Sequence, residues 1–151
     1  MPVRKMIMLQ DKNVSCMIFK EGKPIYWQIA DRIGDDILSG KYQEEERIPS
    51  VREFAAQMEV NANTTMRAYE FLQGRNIIYM KRGIGYFVSS GARELVLEYR
   101  KNAFIGEELN GFFHEIYTLG IPIEEITSLY KDYVQTVEAT KKFFEENGMS
   151  F

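Results

Sequence analysis

Apolar positions recur along this chain at two spacings, and the change from one to the other marks out its elements. After Pro24, the residues Ile25, Ile29, Ile33 and Ile37 return every four positions with Trp27, Ala30 and Leu38 beside them, which predicts a helix with one apolar face. Asp31, Arg32, Asp35 and Asp36 fall to the other side. Pro24 suits a first helical turn, where its missing N–H goes unneeded, and Ser39-Gly40 supplies a stop. Beyond a charged loop from Lys41 to Arg47, Val51, Phe54, Ala55 and Met58 form a second, shorter apolar face. Ser50, with Glu53 three residues on, reads as its capping box. A tight joint at Val60-Asn61-Ala62 leads to a third helix that turns Thr65, Ala68, Tyr69 and Leu72 inward. Asn63, Thr64, Met66, Arg67 and Glu70 are left facing out.

The period then shortens. Asn76 to Val88 reads as two short strands, rich in β-branched and aromatic residues, that reverse at a glycine-containing turn with Lys81 and Arg82 at its tip. Gly83-Ile84-Gly85 is not a nucleotide-binding loop, because a strand follows it where that fingerprint needs a helix. A polar joint at Ser89-Ser90-Gly91 precedes two helical stretches. Ile105, Leu109, Phe112, Ile116 and Leu119 follow one another at spacings of four and three over Arg93 to Leu119, and Gly120-Ile121-Pro122 stops the run. In the second stretch Ile126, Tyr130, Tyr133, Val137, Thr140 and Phe144 repeat the pattern, the seam of packed antiparallel helices. Stripes this wide, with Phe113 and Phe143 included, exceed what two helices can bury against each other. A second copy of the chain is the simplest cover, giving a two-fold dimer through Ile105, Leu109, Phe112, Phe113, Ile116, Ile126, Tyr130, Tyr133, Val137 and Phe144.

The fold class is therefore mainly α with a small β-hairpin. It divides into an N-terminal extension with a short strand at Met17-Ile18-Phe19 (1–23), a winged helix-turn-helix (24–90) and a C-terminal antiparallel helix pair that dimerises (91–151). Residues 1–16 read as a loose extension, with Met17 a candidate start. A chain of 151 residues with 45% hydrophobic content supports a core of ordinary size but not a large catalytic domain. Cys16 is the only cysteine, which excludes an intrachain disulfide and points to a reducing cytoplasm. No stretch is long and apolar enough to cross a bilayer.

Charge changes the picture only when it is divided. The net charge is -3, yet residues 47–90 carry 6 Lys+Arg against 3 Asp+Glu while residues 91–151 carry 6 against 11. Binding follows the local potential of one face, so the basic middle matters more than the sum. Two helices joined tightly, the second opening on small polar residues, make a helix-turn-helix whose second helix can enter a DNA major groove. Asn63 can pair bidentately with adenine, Arg67 with guanine or a phosphate, and Thr64 with either kind of partner. Arg52, near a helix N-terminus, is placed to hold a phosphate. Lys81 and Arg82 at a hairpin tip would touch phosphates or the adjacent minor groove. Against this stands a plainer reading in which Asn61 or Asn63 caps a helix and Arg67 is a solvated charge.

Residues 24–88 resemble the winged-helix domain of GntR-type bacterial transcription regulators. The resemblance is carried by Pro24-Ile25-Tyr26-Trp27-Gln28-Ile29, Arg47-Ile48-Pro49-Ser50-Val51-Arg52-Glu53-Phe54-Ala55, Asn63-Thr64-Thr65-Met66-Arg67-Ala68-Tyr69 and Arg82-Gly83-Ile84-Gly85-Tyr86-Phe87-Val88. It implies operator contacts from Ser50, Arg52, Asn61, Asn63, Thr64, Thr65, Arg67, Lys81, Arg82, Gly83 and Gly85. The chain departs from the family where a glycine is frequent and it has Glu45, and where arginines occur and it has Ala62 and Met66, so no operator sequence is transferred. The short tail is similar to that of the YtrA-type subfamily, which implies a homodimeric repressor at a pseudo-palindromic operator, often of a transporter operon.

The expected partners are double-stranded operator DNA and a second copy, with a small-molecule effector at the dimer seam as an unidentified third. No cofactor is expected. His114, the sole histidine, lies near Glu107 and Glu115 but lacks the further histidines a metal site would use. One His and one Cys leave no catalytic constellation. The alternative function is a winged helix used as a protein-interaction scaffold, which would expose apolar residues on the outer face of the third helix.

Overall fold

The structure, a computed structural model, describes residues 22–149. The strand expected at Met17-Ile18-Phe19, the extension before it and Cys16 lie outside the described residues. Helix α1 spans Ile25–Leu38, and Pro24 stands at its cap rather than inside its first turn, with the Pro24 carbonyl accepting from the N–H groups of Trp27 and Gln28. Ile29, Ile33 and Ile37 are buried as their spacing requires, whereas Ile25, at the open end of the stripe, is exposed. Asp36 departs from the expected polar face. It sits one position before Ile37, on the flank of the buried stripe, and pairs with Lys41 Nζ at 2.8 Å and Arg32 Nε at 3.6 Å. A buried carboxylate needs such partners.

Helix α2 spans Val51–Met58 and ends on Glu59, whose left-handed backbone (φ 54) stops the helix. Helix α3 follows at Ala62–Gly74 and packs on α1 and α2. Phe54, Tyr69, Leu72 and Ile29, Ile33 and Ile37 of α1 meet in one core. Strands β1 (Ile78–Lys81) and β2 (Gly85–Val88) form an antiparallel hairpin with Tyr79 opposite Phe87 and Lys81 opposite Gly85. The other edge of β2 is covered by the loop before α2. Glu45 N–H donates to Val88 O, Val88 N–H to Glu46 O, and Ile48 N–H to Tyr86 O, at 2.9 to 3.0 Å. Covering that edge removes a template for unwanted strand pairing.

Helix α4 (Ala92–Ala103) begins immediately after the hairpin, and its Ala92 and Val96 belong to the same core. The compact first unit thus runs on through Arg100, past Gly91, where the sequence suggests a joint. The second unit starts at Lys101. The unbroken helix expected from Arg93 to Leu119 is interrupted by a π-helical turn at Phe104–Glu108, followed by α5 (Leu109–Thr118) and, after a reversal at Gly120 (φ 65), by α6 (Ile123–Glu146). No described residue from 101 onward is buried. Beyond the turn that joins them, α5 and α6 make no extended packing, so the seam expected between them is not closed within one chain.

Candidate nucleic-acid interface

The first turn of α3 is built by Asn61. Its Oδ1 accepts from Asn63 N–H at 2.8 Å and Thr64 N–H at 3.3 Å, which satisfies two of the donors a helix start leaves unpaired. With the turn fixed, the helical period leaves Asn63, Met66, Arg67 and Glu70 exposed and Thr64 partly so. Thr65 is a correction. It is fully buried, and its hydroxyl donates to Asn61 O at 3.0 Å, so it has no surface to offer DNA and serves packing instead. Asn61 likewise spends its side-chain oxygen on the cap, as the plainer reading of that residue expected.

Tyr69 holds α3 in place. Its hydroxyl donates to Pro49 O at 2.6 Å, tying α3 to the entry of α2, and its ring meets Tyr86 of β2 edge-on at 4.9 Å and Phe54 of α2 at 6.2 Å. One side chain therefore links all three elements expected to contact a duplex. Burial pushes its phenol well above the usual range, so it stays protonated. The sequence marks Tyr69 as inward-facing, but its hydroxyl's partner lies twenty residues away and carries no local signal.

At the start of α2 the capping box is complete. Ser50 N–H donates to Glu53 Oε2 at 2.7 Å, and Glu53 N–H to Ser50 Oγ at 3.3 Å. The backbone hydrogen bond from Ser50, and then that of its side chain, hold the Glu53 carboxyl below its ordinary value. Two of the N–H donors at this helix start are thus engaged by the chain's own groups. Arg52 is exposed at this end, and Ser50 acts as a cap.

The wing carries its cations differently. Gly83 takes the left-handed position (φ 78) of a turn closed by Ile84 N–H to Lys81 O, leaving Arg82 exposed at the tip. Lys81 folds back over the rings of Phe87 at 4.3 Å and Tyr79 at 5.5 Å, which are stacked on each other. Gly85 (φ 139) is a spacing residue, because a Cβ there would lie 3.0 Å from Arg47 Nε. Arg47 is itself exposed and bridges to Phe87, so it belongs with the wing cations although sequence reasoning left it out. Its signal was available, as a basic residue just before Ile48-Pro49. It also borders an open cleft of 320 Å³ lined by Tyr42, Ile48, Pro49, Glu53 and Gln57.

Of the residues expected to dimerise, Ile105, Phe112, Phe113, Tyr130 and Tyr133 are exposed in the single chain, and Leu109, Ile116, Ile126, Val137 and Phe144 are half-buried. Among the described residues no helix is long and apolar enough to cross a membrane, and no group of His, Cys, Asp or Glu side chains is placed to hold a metal.

Known proteins resemble this chain in sequence and in fold. A model of the bacterial regulatory proteins of the gntR family matches residues 25–88. YhcF of Bacillus subtilis, an uncharacterized HTH-type transcriptional regulator, is 33% identical over 117 residues, which cover 78% of this chain and 95% of YhcF. YtrA of the same organism, an HTH-type transcriptional repressor, is 30% identical over 123 residues, covering 82% of this chain and 94% of YtrA. A crystal structure of a candidate GntR-family transcriptional regulator from Bacteroides thetaiotaomicron matches with 57% identity and a TM-score of 0.65, over 74% of this chain and 97% of that one.

Proposed function

The chain belongs to the gntR family of bacterial regulatory proteins, and on that footing we propose that it is a transcriptional repressor that binds a pseudo-palindromic operator as a homodimer. The observation that carries the reading is the outer face of α3. Asn63 and Arg67 stand exposed on a helix whose cap and Tyr69 anchor leave it little freedom, and bidentate pairing with adenine and guanine demands such rigidity. Met66 is the only large apolar side chain exposed on α3, which favours DNA over a protein partner at this face. Arg52, Arg47, Lys81 and Arg82 supply charge to the phosphates on either side.

The dimer is supported by what the second unit lacks. Helices α5 and α6 carry phenylalanines and tyrosines yet bury none of their side chains fully, and exposed aromatic surface of that kind marks an interface. A two-fold partner would cover it and present two copies of α3 about 34 Å apart, one turn of the duplex. The seam would also offer an effector a place to bind. Similarity to a repressor over nearly the whole length supports repression, and the YtrA-type resemblance makes a transporter operon the first target to examine.

The test is a footprint of the purified protein on the DNA upstream of its own gene, repeated with candidate effectors. A protected, two-fold-related pair of sites that releases in higher salt is the expected result. Absence of protection there and on genomic fragments, or binding indifferent to salt, would count against the reading.

A further inference from the structure

We propose that Met66, with Ala62 one turn before it, reads a thymine methyl group in the major groove, so that the chain selects an A·T pair among the bases its third helix contacts. The inference rests on the operator-binding reading of α3 above. Helix α3 presents Ala62, Asn63, Met66, Arg67 and Glu70 to solvent. The helical period sorts them into rows. Asn63 and Arg67, four apart, form a polar row, and Ala62 and Met66, also four apart, form an apolar row alongside it. Four residues beyond Met66 the apolar row gives way to Glu70. The apolar surface is therefore confined to the first turns of α3, the end of a recognition helix that meets base edges, and Met66 is the only large apolar side chain exposed on the helix.

Cα–Cβ bonds of a helix tilt towards its N-terminus, so Met66 leans back over the turn that carries Ala62 and Asn63. That turn is held by Asn61 Oδ1, which accepts from Asn63 N–H at 2.8 Å and Thr64 N–H at 3.3 Å, and the next is tied by the Tyr69 hydroxyl to Pro49 O at 2.6 Å. The backbone from which Met66 reaches is thus fixed, while its unbranched, polarizable side chain adapts to the surface it meets. Phosphates and water offer such a side chain no apolar partner. Of the groups that base pairs display in the major groove, the thymine methyl is the apolar one, and it lies on the same pair whose adenine offers N6 and N7 to an asparagine. Asn63 and Met66, three apart on one face, are spaced to contact that pair or its neighbour together.

The test selects an operator from a random duplex pool with the full-length wild type, then replaces each of its thymines, one at a time, by deoxyuridine. That exchange removes the 5-methyl group and keeps the pairing. Wild type should lose about fourfold in affinity at one thymine of a half-site, the order of one methyl group withdrawn from apolar contact. Met66→Ala should bind thymine and uracil at that position alike, and Met66→Leu, still apolar, should keep a preference for thymine. Each comparison sets two duplexes against one protein, so a change in the variant's folding cancels. Wild type indifferent to every replacement overturns the proposal. A thymine preference that Met66→Ala retains in full also overturns it, because the contact then belongs to another side chain. If wild type enriches no sequence from the pool, the operator reading itself fails and the proposal with it, which is seen before any uracil duplex is made.

Discussion

Arg67 and Met66 are neighbours on α3 with opposite consequences for recognition. Both side chains are exposed, but only the guanidinium can pair bidentately with a guanine edge. Arg67→Ala should therefore cost about 1–3 kcal/mol of operator binding and relax base preference at one position, read by binding to a panel of single-base operator variants. Equal loss across the panel would make Arg67 a phosphate contact. Met66→Arg adds the cation that some relatives carry, and it should strengthen binding to unrelated DNA and steepen the salt dependence by about one released counterion. The outward set Asn63, Met66 and Arg67 was legible because a helical period needs no tertiary information. The burial of Thr65 was legible too, since the same period turns it inward, although the family resemblance counts it among the contacts. Glu45 was not fully legible. The family's glycine hints at an unusual backbone there, but the left-handed conformation (φ 61) follows from pairing with Val88 on β2, and Tyr79, which donates to its carboxylate at 2.7 Å, lies far away in sequence.

At the scale of elements, α3 is held by its cap and by Tyr69, and the two can be separated. Asn61→Ala removes the acceptor for two N–H groups and should lower stability by about 1 kcal/mol in a denaturant titration. Its effect on operator affinity should be larger, because the frayed turn carries Asn63. Tyr69 is tested by pH. Burial holds its phenol above the usual 10.0, and burial together with the hydrogen bond to Asp31 does the same for Tyr99. The folded state thus keeps protons that the unfolded chain releases. That stability is fully present below pH 10.0 and is lost as pH rises beyond it. Thermal melts should show Tm falling steeply in that alkaline range. Tyr69→Phe should reduce the fall, while costing about 1 kcal/mol at neutral pH through the lost bond to Pro49. An alkaline fall as steep in Tyr69→Phe as in wild type would assign it to other groups. Capping boxes and inward aromatics can be read from spacing, whereas Tyr69's links to Pro49 and Tyr86 depend on how the helices and hairpin pack.

For the whole molecule, two truncations divide the roles of the tail, and the structure moves the useful cut. Sequence places the joint at Gly91, where polarity changes. Polarity does not report that Ala92 and Val96 complete the core or that Arg93 and Arg100 are fastened to α1. A chain ending at Ser90 leaves the core uncovered, and the lost burial of Val96 alone is worth about 1.5–3 kcal/mol, so its Tm should drop markedly. A chain ending at Ala103 keeps every one of those contacts. It should melt cooperatively, sediment as a monomer and bind a half-site, yet lose most of its affinity for the full operator because the second head is no longer tethered. It also sheds all of the acidic excess of residues 91–151, since residues 104–151 carry 9 Asp+Glu against 3 Lys+Arg, so its binding to random DNA, per head, should rise at low salt. Sedimentation of this truncated chain as a dimer would place the interface in the reading unit. The exposed aromatics of α5 and α6 would then be left to bind another partner.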